Sequence, residues 1–261
     1  MAYISKNDYS ALDRLEVSMF LFHPRSGLRM SSRDISVPVE NSVVVGARFH
    51  MVKQSAPNIL FFHGNGEIVA DYDDMGENYN QMGINFLPVD YRGYGRSTGK
   101  PTVTAMMRDC HVIFDFVKKW LKENNYSGPL IVMGRSLGSA SALELAACYK
   151  RHMDGLIIES GFAYVIPLLK LLGINVEALD IREEDGVGNL DKIRTFDKPA
   201  LVIHAEHDHI IPFSDGQALY DACPSPDKTL LKIPRANHND IFFHGLSEYM
   251  AAVQTLLDKI K

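Results

Sequence analysis

The chemistry this 261-residue chain can support is concentrated in a few short stretches. One is Gly134-Arg135-Ser136-Leu137-Gly138, a G-x-S-x-G pattern set between the apolar run PLIVM and the helix-forming SASALELAACYKR. A serine attacks a carbonyl only if its Oγ projects from a tight strand-to-helix turn. Such a turn brings strand and helix so close that side chains two before and two after the serine would clash, and glycine at both places removes the clash. The helix start also aims backbone N–H groups at negative charge developing nearby. Serine at its ordinary pKa is a poor nucleophile, so the turn is useful only with a base and an acid that orients the base. Without them it is a glycine-rich turn in which Ser136 caps a helix.

A second stretch, His63-Gly64-Asn65-Gly66-Glu67, follows the run NILFF. Its glycine pair lets the backbone turn back across the strand end, so that the Asn65 N–H and the Leu137 N–H form an oxyanion hole. Losing one such donor typically costs about 10²–10³-fold in rate. His63 is read as a structural brace for that loop. A third stretch, HAEHDHIIP at 204–212, crowds three histidines and two acids into six positions. A fourth, ANHND, supplies His238 just ahead of the last helical pattern.

The third stretch has a metal reading. His204, Asp208 and His209 fall in register with the HxHxDH signature of the metallo-β-lactamase fold, but the third place holds Glu206 and little chain remains for further ligands. A continuing strand would also send His204 and His207 to opposite faces. No metal is therefore expected. The nucleotide motifs fail as well. A P-loop in DYRGYGRSTGK would need glycine at 94 and Ser or Thr at 101, where the chain has Tyr94 and Pro101. GNGEIV lacks the third glycine of a dinucleotide fingerprint.

Positioning these stretches requires strands that end beside one another. DISVPV and VVVGARFHMV suggest an antiparallel pair. NILFFH (58–63), INFLPVD (84–90), PLIVM (129–133), GLIIES (155–160), ALVIH (200–204) and TLLKI (229–233) are short β-like runs, the central ones continuously apolar, as in parallel strands covered on both faces. Between them, Cys110, Ile113, Phe114, Val117 and Leu121 repeat at helical spacing, as do Leu246, Tyr249, Met250, Val253, Leu256, Leu257 and Ile260 near the C-terminus. Strands alternating with helices imply one mostly parallel α/β sheet, in which ligands bind beyond the carboxyl ends of the strands.

Composition narrows the options further. At 46% hydrophobic and 23% charged, the chain is an ordinary globular sequence long enough to bury a full core, and residues 1–261 are read as one domain. A net charge of −5 argues against nucleic-acid and anionic-membrane partners. No run approaches a membrane span, and MAYISKNDYSALDRLE lacks a secretory leader's pattern. Cys110, Cys148 and Cys223 cannot all pair, which suggests reduced thiols and a cytoplasmic location. Residues 1–30 have no reading beyond a packing arm.

FFHGNGE, DYRGYGRS and GRSLGS together resemble the α/β-hydrolase superfamily, from about residue 33 to the C-terminus. The resemblance implies an eight-stranded sheet, a small cap inserted after the strand following the elbow strand, and the chain order serine, acid, histidine. On that order Ser136 is the nucleophile, Asp208 the acid and His238 the base. Glu159, at the end of GLIIE, is the fallback acid, because some members place it there. The remaining histidines of the third stretch are read as surface or loop residues near the cleft mouth. The cap spans about 162–198, with YVIPLLKLLGI expected to turn helical after Pro167. Ile166, Leu168, Leu169 and Leu172 either wall an acyl pocket or pack on the sheet.

The forms HGNGE and ANHND look closest to the small-capped branch of esterases, thioesterases and monoglyceride lipases, which grades into serine aminopeptidases. The expected activity is serine hydrolysis of a small carboxylic ester or thioester through an acyl-enzyme, with no cofactor and with activity declining as pH falls through roughly 6.5, where an unperturbed histidine protonates. Amide hydrolysis and a non-catalytic binding protein of this fold are the alternatives.

Overall fold

The computed structural model describes residues 8–27 and 30–260. Residues 1–7, where the leader pattern was sought, and 28–29 of the N-terminal arm lie outside the described residues.

Each apolar run becomes a strand: β1 (Asp34–Glu40), β2 (Val43–Arg48), β3 (Asn58–Phe62), β4 (Asn85–Val89), β5 (Leu130–Arg135), β6 (Gly155–Glu159), β7 (Ala200–Ala205) and β8 (Lys228–Ile233). They form one eight-stranded sheet in the order β1-β2-β4-β3-β5-β6-β7-β8. β2 runs antiparallel to β1 and β4, and the other neighbours are parallel. Strands β3 to β7 are buried at every position, which is why they read as unbroken apolar runs. Edge strand β8 is half-exposed and carries Lys228 and Lys232, a composition that discourages pairing with another chain.

The helices are α1 (Leu15–Leu21), α2 (Asp73–Gln81), α3 (Val103–Glu123), α4 (Gly138–Tyr149), α5 (Val165–Leu171), α6 (Asn189–Ile193), α7 (Phe213–Ala222) and α8 (Ile241–Asp258). They cover both faces because strand side chains alternate. Ile59, Phe61, Ile131 and Met133 meet Tyr79 of α2 and Tyr249 and Val253 of α8. Leu60, Phe62 and Val132 meet Phe114 of α3, Leu143 of α4 and Leu219 of α7. Helix α3 starts at Thr102, whose hydroxyl accepts the Ala105 N–H at 3.0 Å. Helix α8 begins ahead of the stripe read from Leu246 and is bent at Gly245, where an added Cβ would lie 2.8 Å from the Ile233 side chain.

The register levels the strand ends. Phe62 pairs with Gly134, Arg135 with Glu159, Glu159 with Ile203, and His204 with Lys232. The loops that follow β3, β5, β6, β7 and β8 therefore open on one edge of the sheet.

Two segments border that edge. The cap follows β6 and holds α5 and α6. Its first helix starts at Val165 instead of after Pro167, since proline is tolerated in a first turn whose N–H groups lack helical partners. The N–H groups of Val165 and Ile166 instead donate to the Glu183 carboxylate at 2.6 and 3.0 Å. The N-terminal arm crosses from cap to sheet: Arg14 donates to the Leu179 carbonyl at 2.5 Å, and Ser26 bridges to Gly95.

Candidate active site

The turn after β5 has the tightness that its glycines imply. An added Cβ at Gly134 would lie 2.2 Å from the Gly138 carbonyl, and one at Gly138 would lie 2.0 Å from the Phe62 carbonyl. Ser136 has φ +50°, in the left-handed region. A non-glycine residue held there costs on the order of 1–3 kcal/mol and persists only when its surroundings enforce it. The Ser136 N–H donates to the Glu159 carbonyl at 2.9 Å, and its own carbonyl accepts the Ser139 hydroxyl at 2.6 Å.

Ser136, Asp208 and His238, far apart in sequence, meet at this point. Ser136 Oγ lies 3.1 Å from His238 Nε2, and His238 Nδ1 lies 2.7 Å from Asp208 Oδ2. All three residues are buried. A hydrogen on Nδ1 facing the carboxylate leaves the Nε2 lone pair free to accept from the serine hydroxyl. Asp208 Oδ1 accepts the N–H groups of Ile210 and Ile211 at 3.0 and 2.8 Å. Burial raises the Asp208 pKa, but the His238 contact and these N–H groups outweigh it, and the net value is lowered. The acid therefore stays ionised beside the imidazole.

The loops after β7 and β8 are fastened to each other. The His207 N–H donates to the Ala236 carbonyl at 2.9 Å, and the Asn237 amide oxygen accepts the N–H groups of His238 and His209 at 2.9 and 3.2 Å. Asn237 went unnoticed in the sequence, where nothing distinguishes it from a loop asparagine.

Asn65 and Leu137 each carry a backbone N–H with no hydrogen-bond acceptor among the described residues. The Asn65 side chain is fully engaged elsewhere. Its Nδ2 donates to the Leu21 carbonyl at 2.9 Å, while its Oδ1 accepts the His23 N–H at 2.9 Å and the Tyr94 hydroxyl at 2.6 Å. His63 is buried, with Nε2 3.1 Å from Asp90 and Nδ1 2.7 Å from the Gly64 carbonyl, a bracing geometry.

One expectation needs correction. His204 is not a surface residue. It is fully buried, with Nε2 2.8 Å from the Ile211 carbonyl, because α7 covers its strand and Gly216 lets the helix pack on its ring. His207 and His209 are exposed, and His209 turns its ring to Asn237, away from any joint site with His204 and Asp208. Glu159 does not approach His238. It binds Arg135 Nε at 3.0 Å and the Tyr249 hydroxyl at 2.8 Å. In the cap, Leu169 is fully buried in the core, and Ile166 and Leu172 pack half-buried against it. Leu168 does line a groove of about 280 Å³, joined by Phe162, Tyr164, Pro167, Leu171 and Ile210. Helical spacing names a face without saying which way it points.

Among the described residues, His111, Glu144 and Cys148 have metal-ligand spacing, but they lie between α3 and α4. The Lys192 ammonium, 2.7 Å from Glu144, already occupies the cation's role there. Arg135 and Glu67, neighbours of the predicted residues, also went unread. A buried arginine at a strand end demands carboxylate partners, and that demand was the available signal.

A family model described as serine aminopeptidase, S33, matches residues 53–179. The human alpha/beta hydrolase domain-containing protein 17B is 31% identical over 210 residues, covering 75% of this chain and 66% of that protein. An uncharacterized membrane protein of Saccharomyces cerevisiae is 31% identical over 171 residues, covering 62% of this chain and 57% of that protein. The chain thus spans less than two thirds of either relative's length. The esterase Pf2001 of Pyrococcus furiosus superposes with a TM-score of 0.71 at 18% identity, covering 92% of this chain and 99% of that one. With this sheet order and these matches, the chain has the α/β-hydrolase fold and is similar in sequence to proteins of that superfamily. No helix among the described residues is long and apolar enough to cross a membrane.

Proposed function

We propose that the protein is a serine hydrolase that cleaves a small carboxylic ester or thioester through an acyl-enzyme. The observation that carries this reading is the unbroken contact chain from Ser136 Oγ through His238 to Asp208, at 3.1 and 2.7 Å. His238 Nε2 takes the serine proton as Oγ attacks the carbonyl carbon, Asp208 stabilises the imidazolium, and the Asn65 and Leu137 N–H groups receive the oxyanion. His238 then protonates the departing alcohol or thiol. Water deprotonated by His238 hydrolyses the acyl-serine, and the proton returns to Ser136. The groove beside α5, which Asp208 and His209 also line, offers Leu168 and its apolar neighbours to the acyl or leaving group.

Fluorophosphonate labelling tests this reading. Adduct at Ser136, lost in Ser136→Ala, is the expected result; a folded wild-type protein that takes no label there overturns it. The serine aminopeptidase match over 53–179 favours amide cleavage as a second reading. Turnover of aminoacyl p-nitroanilides above that of p-nitrophenyl esters would make it the better one. The three unpaired cysteines support a reducing, cytoplasmic setting. Recovery in the membrane pellet on cell fractionation would reject that location.

A further inference from the structure

Behind Ser136 lies a buried cation that the proton relay does not use. Arg135 sends its guanidinium to two loops and the end of β6. Nε donates to Glu159 Oε1 at 3.0 Å, Nη1 binds Glu67 Oε1, and Nη2 donates to the His238 carbonyl at 2.8 Å and to Asn239 Oδ1 at 3.1 Å. Glu67 uses its other oxygen to accept the Gly64 N–H at 2.6 Å and the Tyr72 hydroxyl at 2.5 Å. One end of this chain holds the peptide that leads into Asn65, and the other holds the backbone of the base. The cluster is close-fitted: an added Cβ at Gly64 would lie 2.7 Å from Arg135 Nη1 and 2.8 Å from Glu67 Oε2.

We infer that Arg135 and Glu67 are positioning residues that set the oxyanion loop and the His238 loop at a fixed separation around Ser136. This rests on the serine-hydrolase reading above. Neither residue reaches the proton relay, so neither is a catalytic group. Their effect passes through the backbone of Gly64 and His238. The arginine fork suits the task because its donors are rigid and diverge, whereas a lysine offers a single point charge that cannot hold both loops and the strand end at once. Glu67 remains ionised: burial opposes the charge, and Arg135 and the Tyr72 hydroxyl outweigh it.

The test compares wild type with Glu67→Gln, Glu67→Asp, Arg135→Lys and the Glu67→Gln/Arg135→Lys pair, each normalised to the fraction of Ser136 that takes a fluorophosphonate label. Glu67→Gln turns an amide N–H₂ or a weaker acceptor toward Arg135. Glu67→Asp keeps the charge but shortens the reach, and so covers the case in which the neutral variant does not fold. A small displacement of reacting groups costs up to about 10²-fold in rate. The expected result is a kcat lower by about 10–10²-fold with KM within about threefold. A trifluoromethyl ketone, which mimics the tetrahedral adduct, should lose affinity in the same proportion, and the double variant should fall no further than its worse single.

A residue that merely supports folding would lower the labelled fraction or the Tm and leave both normalised quantities alone. Folded Glu67→Asp and Glu67→Gln proteins with kcat and ketone affinity within twofold of wild type would overturn the inference. A wild type that takes no label at Ser136 would instead remove the hydrolase reading, and the inference with it.

Discussion

At the residue scale, the proposed chemistry rests on an imidazole held from both sides. Replacing Asp208 with Asn removes the charge that fixes the His238 tautomer, and a loss near 10⁴-fold in kcat is expected, as in other triads. The measurement is steady-state hydrolysis of p-nitrophenyl esters by the folded variant. Glu159→Gln should behave differently, because its carboxylate neutralises Arg135 and touches neither Ser136 Oγ nor His238. It should lower the Tm, since removing one partner of a buried pair is strongly destabilising. An activity loss as deep as that of Asp208→Asn, in protein that still folds, would return Glu159 to the role of acid. Ser136, Asp208 and His238 were legible because each follows a recognisable strand in a set order. Arg135 and Glu67 were not, since their pairing joins residues far apart in the chain that only the folded sheet brings together.

At the element scale, the strand-to-helix turn and the cap behave differently under substitution. Gly138→Ala would drive a methyl into the Phe62 carbonyl, so the variant should fail to fold or lose most of its thermal stability, as read by circular dichroism. In α5 the two alternatives, pocket wall and core packing, become a measurable contrast. Leu169→Ala opens a cavity in the core and should cost about 2–5 kcal/mol in chemical denaturation. Leu168→Ala, at a half-buried position, should cost less stability than Leu169→Ala and alter the dependence of kcat/KM on acyl chain length. The strands were readable from their unbroken apolar runs. The inward face of α5 was not, because helical periodicity fixes a stripe while the Glu183 contacts and the approach of the 210–212 loop decide its direction. His204 was misjudged on similar grounds: its burial depends on Gly216, a residue in the next helix.

At the scale of the whole molecule, buried titrating groups set the pH range of the fold. Burial, with Arg33 beside it, holds His50 down to about 4. The unfolded chain then binds this proton at higher pH than the native one, so its contribution is complete above the ordinary histidine value near 6.5 and fades as pH falls toward 4. Denaturant midpoints should drop across that window by an amount worth up to about 3 kcal/mol, and His50→Gln should flatten the profile. Glu144 acts lower: burial opposes its ionisation, but His111 and Lys192 hold it at about 2. Its contribution is present above the ordinary glutamate value and is lost as pH falls from there toward 2. Acid unfolding should therefore come in two stages, and a midpoint that stays level from pH 7 to 5 would contradict the His50 assignment.

The side-chain amide of Asn65 is spent on the N-terminal arm, gripping the chain at Leu21 and His23, while its backbone N–H has no acceptor among the described residues. Whatever tugs on that arm, be it a fused tag, a bound partner or a tether to a surface, pulls directly on the loop that would steady the reaction's negative charge. The grip at Leu21 and His23 would thus tie the arm to the proposed chemistry.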